Sequence, residues 1–294
     1  DMLMQTPPSK PAEFSPAVDA AEDIVRDALA EGTTLLTGRA AMSVLSAYGI
    51  PTTQRRYAAS AAEAADAADA LGYPVVVKIL SPHIPHRAEV GGVELYIQGP
   101  EAVRQAAETM LERVARKRPD ARVEGFAVER MVLEPDAQEI RIGITDDPVF
   151  GPVITFGEGG PLADVIADQA VALPPLNLSL ARELISRTRV SRLLHGHGDR
   201  PPANIGALCL TLVQVSQMVI DLPELDALEI NPLFVDSEGI VAADAWMRLA
   251  PPTRDAPSQR ELAIRPYPKH LEEEFVLESG RRTLIRPIRP EDEP

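Results

Sequence analysis

Residues 74–93 read PVVVKILSPHIPHRAEVGGV, and this stretch decides the fold. Its first part, 74–80, is a short run of β-branched and apolar residues, which predicts a buried strand. Lys78 lies inside that run, and a buried ammonium group must either extend to solvent or meet an anion. Gly91 and Gly92 follow after a loop, and glycines allow backbone N–H groups to approach phosphates closely. Each signal alone also fits a strand-end lysine or a tight turn, but together they suit a polyphosphate.

The C-terminal half contains residues that suit a metal ion. Asn231 lies near the end of one predicted strand, and Asp244 lies on the next strand, after a turn at 236–239. A hairpin of that length brings the Asn231 amide oxygen and the Asp244 carboxylate together. Magnesium prefers such hard oxygen ligands and usually shares them with substrate phosphates. For each residue taken alone, the alternatives are an Asn-Pro turn and a solvated aspartate.

The hydrophobic periodicity predicts both helices and strands. Predicted helices cover residues 17–31, 38–48, 59–71, 101–117, 178–195 and 203–220, and predicted strands cover 74–80, 90–98, 124–131, 138–145, 152–156, 225–235 and 239–249. Helices lie between pairs of strands, which is typical of the α+β or α/β class.

The composition excludes several classes of protein. The 294 residues carry a formal net charge of −15, and we find no basic stripe of the kind that a nucleic-acid binder shows. The acidic balance also disfavours anionic membrane surfaces, and no apolar run reaches the roughly 18 residues of a membrane-spanning helix. Cys209 is the single cysteine, so an intrachain disulfide is excluded and a reducing cytoplasm is predicted.

Several motifs resemble the ATP-grasp domains of ADP-forming acetyl-CoA and acyl-CoA synthetases. They are LGYPVVVK (71–78), IPHRAEVGGV (84–93), FGPVITFGEGG (150–160), EINPL (229–233) and ADA (243–245). The resemblance runs from about Leu35 to Leu249. It implies an ATP-grasp fold, in which two α+β subdomains hold a nucleotide between them, with ATP or ADP and Mg²⁺ as cofactors. The choice between ATP and GTP stays open.

The resemblance also implies roles for individual residues. It implies that Lys78 contacts phosphate and that Gly91 and Gly92 belong to a loop over the phosphates. It implies that the inter-subdomain hinge binds adenine at Glu129, Arg130 and Met131, and that Glu139 contacts the ribose or nucleotide. It also implies that Glu158, Gly159 and Gly160 face the phosphate acceptor, and that Asn231 and Asp244 bind Mg²⁺.

The resemblance implies that His86 is the catalytic residue. In the ADP-forming synthetases a histidine in this loop exchanges phosphate with the nucleotide, and the loop swings toward a CoA-ligating site on another domain or subunit. Imidazole suits this role because it is neutral and nucleophilic near pH 7 and forms a high-energy phosphoramidate. From the sequence alone, a surface-loop histidine is the alternative. We assign no role to His83, and we interpret His195 and His197 as a helix end and loop.

Two places depart from the family pattern. The family histidine is usually followed by Lys, Ser and Asp, whereas this chain has Arg87, Ala88 and Glu89, so that a hydroxyl is lost. A basic residue usually follows the Asp-Ala pair at 244–245, whereas this chain has Trp246. That change leaves one positive charge fewer near the nucleotide, and both departures bear on synthetase turnover.

The C-terminal tail resembles a second family. Residues 265–274 and 283–292 resemble the segment that leads into a GNAT acetyltransferase domain, as in bifunctional protein lysine acetyltransferases. We therefore expect partners on a longer chain: CoA-binding and ligase domains, and a GNAT domain downstream. A homo-oligomer stays open. The expected division is a linker and helix (1–33), an ATP-grasp N-terminal part with phosphate loop and hinge (34–130), a C-terminal part with the Mg²⁺ site (131–250), and a linker with the start of a truncated GNAT-like domain (251–294).

Three functions fit these observations. The first is the ATP-grasp half of an ADP-forming acyl-CoA synthetase, which transfers phosphate between ATP or ADP and His86. The second is a non-turnover ATP-binding regulatory domain of a protein lysine acetyltransferase, which the GNAT-like tail, Ala88 and Trp246 favour. The third is an interaction module without nucleotide, which ranks last because Lys78, Asn231 and Asp244 are all present.

Overall fold

Two antiparallel sheets, each with helices and a hydrophobic core of its own, make up most of the fold. The computed structural model describes residues 14–84, 87–131, 137–160, 163–196, 198, 200–250, 262–264, 271–277 and 281–288. Its helices are α1 (Val18–Ala30), α2 (Gly38–Ala47), α3 (Ala61–Leu71), α4 (Pro100–Lys117), α5 (Ala163–Ile166), α6 (Leu178–Ser186), α7 (Ser191–Leu194) and α8 (Ile205–Asp221), with a 3-10 helix at Arg87–Val90. Its strands are β1 (Leu35–Thr37), β2 (Arg55–Ala58), β3 (Val75–Leu80), β4 (Val93–Ile97), β5 (Gly125–Arg130), β6 (Gln138–Asp147), β7 (Gly151–Glu158), β8 (Gln169–Ala172), β9 (Leu225–Val235), β10 (Ile240–Ala242), β11 (Ala245–Leu249), β12 (Glu273–Val276) and β13 (Arg282–Ile285).

The small unit, β2 to β5 with α3 and α4, is a four-stranded sheet covered by two helices. Its strand order is β2-β5-β3-β4, and α3 and α4 present their apolar faces to one core with the central strands β3 and β5. Ser60 caps the start of α3: its Oγ accepts from Glu63 N at 3.2 Å, and Glu63 Oε2 accepts from the N–H of the preceding residue, Ala59, at 2.9 Å. Gly72, with φ +81°, ends the helix. The fixed helix end leads directly into β3, the strand that carries Lys78.

The large unit contains β1, α1 and α2 together with the elements from β6 to β11. Its strand order is β1-β11-β9-β6-β7-β8, and β10 pairs with the second half of β9. Ile140, Ile142 and Ile144 alternate along β6 and are all buried in a core shared with α8, because alternate side chains of a strand share one face. Their neighbours in the sequence therefore lie on the opposite face of the sheet.

The small unit is inserted into the large one along the chain. β1 pairs with β11, so the segment before β2 belongs to the same sheet as the C-terminal strands. This pairing differs from the division at 34–130, which grouped β1 with the small unit. Thr52 and Thr53 carry the chain between the units, and Thr53 N donates to Ala242 O at 3.0 Å. The crossing therefore lies beside the residues that precede Asp244.

The strongly periodic elements lie where the sequence predicts them, and the short ones do not. The observed sheets are antiparallel, which selects the α+β class. The predicted strand at 239–249 is broken after Ala242 into β10 and β11, and the predicted helix at 178–195 is broken into α6 and α7. β1, β2 and β8 were not predicted. Among the described helices, none combines the length and apolar character that a membrane crossing requires.

Candidate functional site

Lys78 points between the two units. It lies in β3 between Val77 and Ile79, and its side chain is only 10% exposed. The ammonium group donates to Ala243 O at 2.7 Å and to Glu129 Oε2 at 3.1 Å. The lysine is therefore paired inside the protein, and it does not extend to solvent. Two of its three donors have partners in the described part of the chain.

Glu129 is the centre of a buried charge network in the small unit. Its carboxylate accepts from Thr53 Oγ1 at 2.8 Å, and Arg55 Nη1 lies 3.6 Å from its second oxygen. Together with Lys78, these groups compensate a carboxylate that is 3% exposed at the side chain. The sequence did not predict Thr53 or Arg55 as members of the site. Thr53 lies in the segment that crosses between the units, and Arg55 lies in β2, a strand that the sequence pattern did not predict.

Asp244 lies in the break between β10 and β11. Arg87 Nη1 donates to both of its carboxylate oxygens at 2.7 Å, and Ala245 N donates to Oδ1 at 3.0 Å. Burial alone would raise the pKa of the Asp244 carboxyl, but the charges of Lys78 and Arg87 and the hydrogen bonds outweigh it. The pKa therefore lies below its usual range, and the group is a carboxylate at neutral pH.

Asn231 connects Asp244 to the glycine-rich corner after β7. Its backbone N–H donates to Asp244 O at 3.1 Å, and its side-chain oxygen accepts from Gly160 N at 2.9 Å. The hairpin that the sequence predicted thus brings residues 231 and 244 together. Both side chains end in hard oxygen atoms, which is the chemistry that Mg²⁺ prefers, so the donor set fits the metal.

Glu139 packs over the glycine-rich corner. Gly159 N donates to Glu139 O at 2.9 Å, and a Cβ on Gly160 would lie only 2.1 Å from Glu139 Oε2. Burial raises the pKa of the Glu139 carboxyl. Glu158 is part of β7, opposite Ile140 of β6. The corner 158–160 and Glu139 therefore form one continuous surface with Asn231.

Gly159 allows the close approach of β7 to β6, which gives a first prediction. A Cβ at position 159 would lie 2.6–2.9 Å from the backbone atoms of Ile140, and backbone cannot move aside as a flexible side chain can. Gly159→Ala should therefore lower the free energy of unfolding by about 1–3 kcal/mol, in the range of overpacked sites. Thermal melts should show a decrease of roughly 2–4 °C per kcal/mol.

Gly239→Ala is the matched control for that change. Gly239 lies in the turn after Asp236, and no atom lies within 4 Å of a Cβ there. Its melting temperature should stay within about a degree of the wild type, since surface substitutions without a special feature have small effects. Equal melting temperatures of the two variants would show that the β6–β7 approach tolerates a side chain.

Gly91 and Gly92 donate within their own loop. Gly91 N donates to Ala88 O at 3.0 Å, and Gly92 N donates to Arg87 O at 2.8 Å. Gly92 has a packing reason as well, because a Cβ there would lie 2.6 Å from Ile79 Cγ2. In this conformation the two N–H groups do not point outward, and phosphate contact by them stays a prediction.

The hinge residues use their N–H groups in the sheet. Arg130 N donates to Gln54 O and Met131 N donates to Pro74 O, each at 3.1 Å. Adenine recognition through these N–H groups would have to replace those bonds. The side chain of Glu129 points into the charge network described above, and residues 132–136 lie outside the described residues. The hinge assignment therefore stays a prediction.

His86 lies outside the described residues, but its neighbours on both sides are anchored. Ile84 is 1% exposed in the small-unit core, and Arg87 is 4% exposed. His83 has a structural contact: its Nδ1 accepts from Arg122 N at 3.1 Å. His195 Nδ1 contacts Ser191 O at 2.6 Å at the end of α7, and His197 lies outside the described residues.

The structure brings most of the predicted residues into one continuous region. Lys78, Glu129, Asn231, Asp244, Glu139 and the corner 158–160 are linked by the contacts above, and the small and large units both contribute. Arg87 belongs to the same region, although the sequence singled it out only as a departure from a family pattern. Trp246, the other departure, has a buried Nε1 without a partner among the described residues.

A comparison with protein families shows the family to which the chain belongs. Residues 27–249 match the family model of an ATP-grasp domain.

The chain belongs to the ATP-grasp family.

Within the ATP-grasp family, the chain matches the β subunits of ADP-forming acetyl-CoA synthetases. The β subunit of ADP-forming acetate–CoA ligase I from Pyrococcus furiosus is 34% identical over 232 residues, which is 79% of this chain and 99% of the relative. ADP-forming acetate–CoA ligase I from Archaeoglobus fulgidus is 35% identical over 231 residues, but these are only 33% of its length. The chain therefore spans nearly all of a β subunit and about a third of a fused relative.

Solved structures have the same fold. A structure of the dinucleotide-forming acetyl-coenzyme A synthetase 1 of Ca. Korarchaeum cryptofilum, with coenzyme A, Ca-AMPCP and HgCl⁺, has a TM-score of 0.74 and 32% identity, and covers 78% of this chain and 100% of that one. A second structure of that protein has a TM-score of 0.67 and 29% identity at the same coverage. It contains coenzyme A and Mg-AMPPCP, with a phosphohistidine segment that points towards the nucleotide-binding site.

Proposed function

We propose that this ATP-grasp domain binds a Mg²⁺-nucleotide between its two units and exchanges phosphate with His86, as part of an ADP-forming acyl-CoA synthetase. One observation carries the proposal: Lys78 of the small unit and the Asn231–Asp244 pair of the large unit meet in one charged region. A cationic side chain for phosphate and two hard oxygen ligands for a divalent cation are what a Mg²⁺-polyphosphate requires.

Each side chain has a role that follows from its position. Lys78 neutralises phosphate oxygens, and Glu129 holds the ammonium group in place from behind. Asn231 and Asp244 hold Mg²⁺, which when bound neutralises charge on the phosphates. Gly159 and Gly160 let the chain pass close to Ile140 and Glu139, and in this proposal the corner 158–160 beside Asn231 faces the phosphate acceptor. Glu139, Gly91, Gly92 and the hinge residues 129–131 complete the nucleotide site in this proposal.

The transfer itself requires only one nucleophile. The unprotonated ring nitrogen of His86 attacks the γ-phosphorus of ATP, and the bond from that phosphorus to the β,γ-bridging oxygen breaks. ADP leaves with the electron pair, and the other ring nitrogen releases its proton to water, so that the imidazole ring is neutral and the transferred phosphoryl group stays anionic. The protein contributes positioning and charge neutralisation, which dominate phosphoryl transfer. The reverse step makes ATP from ADP.

The proposed partner domains follow from the relatives that the chain matches. A β-subunit-like ATP-grasp domain needs CoA-binding and ligase domains for acyl-CoA formation, on the same polypeptide or on a second subunit. The matched synthetases lend no support to the acetyltransferase interpretation, and the GNAT-like character of residues 265–292 stays a prediction from sequence. A cytoplasmic location likewise stays a prediction from the cysteine content.

Labelling with γ-³²P-ATP and Mg²⁺ tests the proposal. Wild-type protein should acquire acid-labile, base-stable label, and His86→Ala should lower the labelling by at least about a thousandfold, since removal of a nucleophile has effects of that order. His83→Asn is the matched control in the same loop, because an asparagine oxygen can accept from Arg122 N as His83 Nδ1 does. It should label at nearly the wild-type rate.

Two results would count against phosphate transfer. Label that persists in His86→Ala would show that another residue is the nucleophile. Saturable ATP binding without label, both in this chain and in a full assembly with its CoA-binding and ligase domains, would leave a nucleotide-binding domain without transfer.

A further inference from the structure

Arg87 makes an ion pair with the carboxylate of Asp244, the group that we propose as a metal ligand. Its Nη1 lies 2.7 Å from both Oδ1 and Oδ2 of Asp244, and its side chain is 4% exposed. A divalent cation on Asp244 would use the same oxygen atoms and would meet a guanidinium group within a few ångströms. Like charges at that separation repel strongly in a partly buried site. Arg87 and a metal ion therefore exclude each other in this geometry.

The ion pair is incompletely satisfied on the arginine side. Nε and Nη2 of Arg87 are buried and have no hydrogen-bond partner among the described residues. Buried donors without partners are unfavourable, particularly on a charged group. A purely structural ion pair would be expected to use these donors as well. The arrangement thus resembles a resting contact that Arg87 can exchange for another, because no described residue occupies its Nε and Nη2 donors.

Arg87 also connects the metal position to the loop. Arg87 O accepts from Gly92 N at 2.8 Å, and the 3-10 helix Arg87–Val90 begins at this residue. Lys117 of α4 contacts the same loop through Glu89 O. A shift of the Arg87 backbone away from Asp244 would therefore disturb the hydrogen bonds of residues 87–92.

We propose that Arg87 is an internal competitor of the metal at Asp244. In the metal-free protein its guanidinium group holds residues 87–92 against the large unit. When Asp244 binds a divalent cation, Arg87 is displaced and those residues loosen. This inference rests on the proposed function, because it takes Asp244 as the metal ligand. By thermodynamic linkage, metal binding weakens the Arg87 contact by the same factor by which that contact weakens metal binding.

Titration of the full chain with Mn²⁺ alone, followed by electron paramagnetic resonance of the free ion, measures the competition. Arg87→Gln should bind Mn²⁺ at least about tenfold more tightly than the wild type, since hydrogen bonds between charged groups contribute about that much. Arg87→Lys should be intermediate, because lysine keeps the charge but carries it on a strongly hydrated ammonium group of different reach. The double change Arg87→Gln with Asp244→Asn should lose the tight binding without leaving a buried charge unpaired.

Arg113→Gln is the matched control. Arg113 makes an ion pair with Glu94 at 3.1 Å beside the same loop, but both side chains are 42% exposed. Its Mn²⁺ affinity should equal that of the wild type. Equal affinities of the wild type and Arg87→Gln, with binding abolished in the double variant, would overturn the competition and leave the metal site intact. Absence of Mn²⁺ binding in every variant would overturn the metal site and the competition together.

Hydrogen exchange of the wild type tests the same idea without a variant. Saturating Mg²⁺ should accelerate exchange of the Gly91 and Gly92 amides, whose acceptors are Ala88 O and Arg87 O. Exchange of β5, whose strand neighbours are β2 and β3, should not change. Unaltered exchange at Gly91 and Gly92 on metal saturation would overturn the proposed displacement.

Discussion

Glu129→Ala is expected to lower the free energy of unfolding by about 3–5 kcal/mol, the effect of removing one partner from a buried ion pair. Glu129 is the only carboxylate among the described residues that contacts both Lys78 and Arg55. Without it, two cations that are each 10% exposed at the side chain lie close together, and Thr53 Oγ1 loses its acceptor. Urea denaturation should show a lower midpoint with an unchanged slope.

Two further variants decide whether the network causes that effect. Glu129→Gln keeps an acceptor for Thr53 but removes the charge, so it should lie between the wild type and Glu129→Ala. Glu94→Ala removes a carboxylate from the exposed pair with Arg113 and should change stability by less than about 1 kcal/mol. If Glu129→Ala is no more destabilising than Glu94→Ala, the buried network contributes little to the stability of the small unit.

Lys78→Met is expected to lower the rate of phosphate transfer to His86 by about 10²–10³-fold. Effects of this size follow when one preorganised group that stabilises developing charge is removed. Methionine preserves much of the apolar stem within β3, and Glu129 keeps Arg55 as a partner, so the variant should fold. The labelling rate at saturating Mg²⁺-ATP is the measurement.

Lys117→Met separates a specific role of Lys78 from a general effect of charge. Lys117 donates to Glu89 O at 2.9 Å in the same loop but is exposed. Its labelling rate should lie within about threefold of the wild type, because exposed charges are screened by salt. Similar rates for Lys78→Met and Lys117→Met would show that Lys78 is only a structural partner of Glu129.

The fold could be predicted where a local pattern is long enough to show its period. β3, β5 and α4 were recognised in this way, since each carries six or more residues of consistent pattern. β1 and β8 have only three and four residues, and they form because distant strands pair with them. Leu35 of β1, for example, pairs with Arg248. No local pattern contains that information.

The site could be predicted as far as it rests on hairpins and spacing. Asn231 lies in β9 and Asp244 lies between β10 and β11, which both pair with β9, so their proximity follows from the sequence. The contact of Arg87 with Asp244 joins positions 157 residues apart in different units, and only the packing of the units creates it. The same holds for Lys78 and Ala243 O, which are 165 residues apart. The sequence thus indicates the chemical groups, but it does not reveal which of them already neutralise each other.

The unequal burial of the Arg87–Asp244 pair restricts the order in which these positions can mutate during evolution. Arg87 is 4% exposed at the side chain, whereas Asp244 is 26% exposed. Loss of Asp244 first would leave a deeply buried cation without compensation, which is strongly destabilising. Loss of Arg87 first leaves an anion that water and Lys78 can still stabilise. Related proteins can therefore lose Arg87 while they keep Asp244. The opposite order, with Asp244 lost first, requires an intermediate that folds poorly.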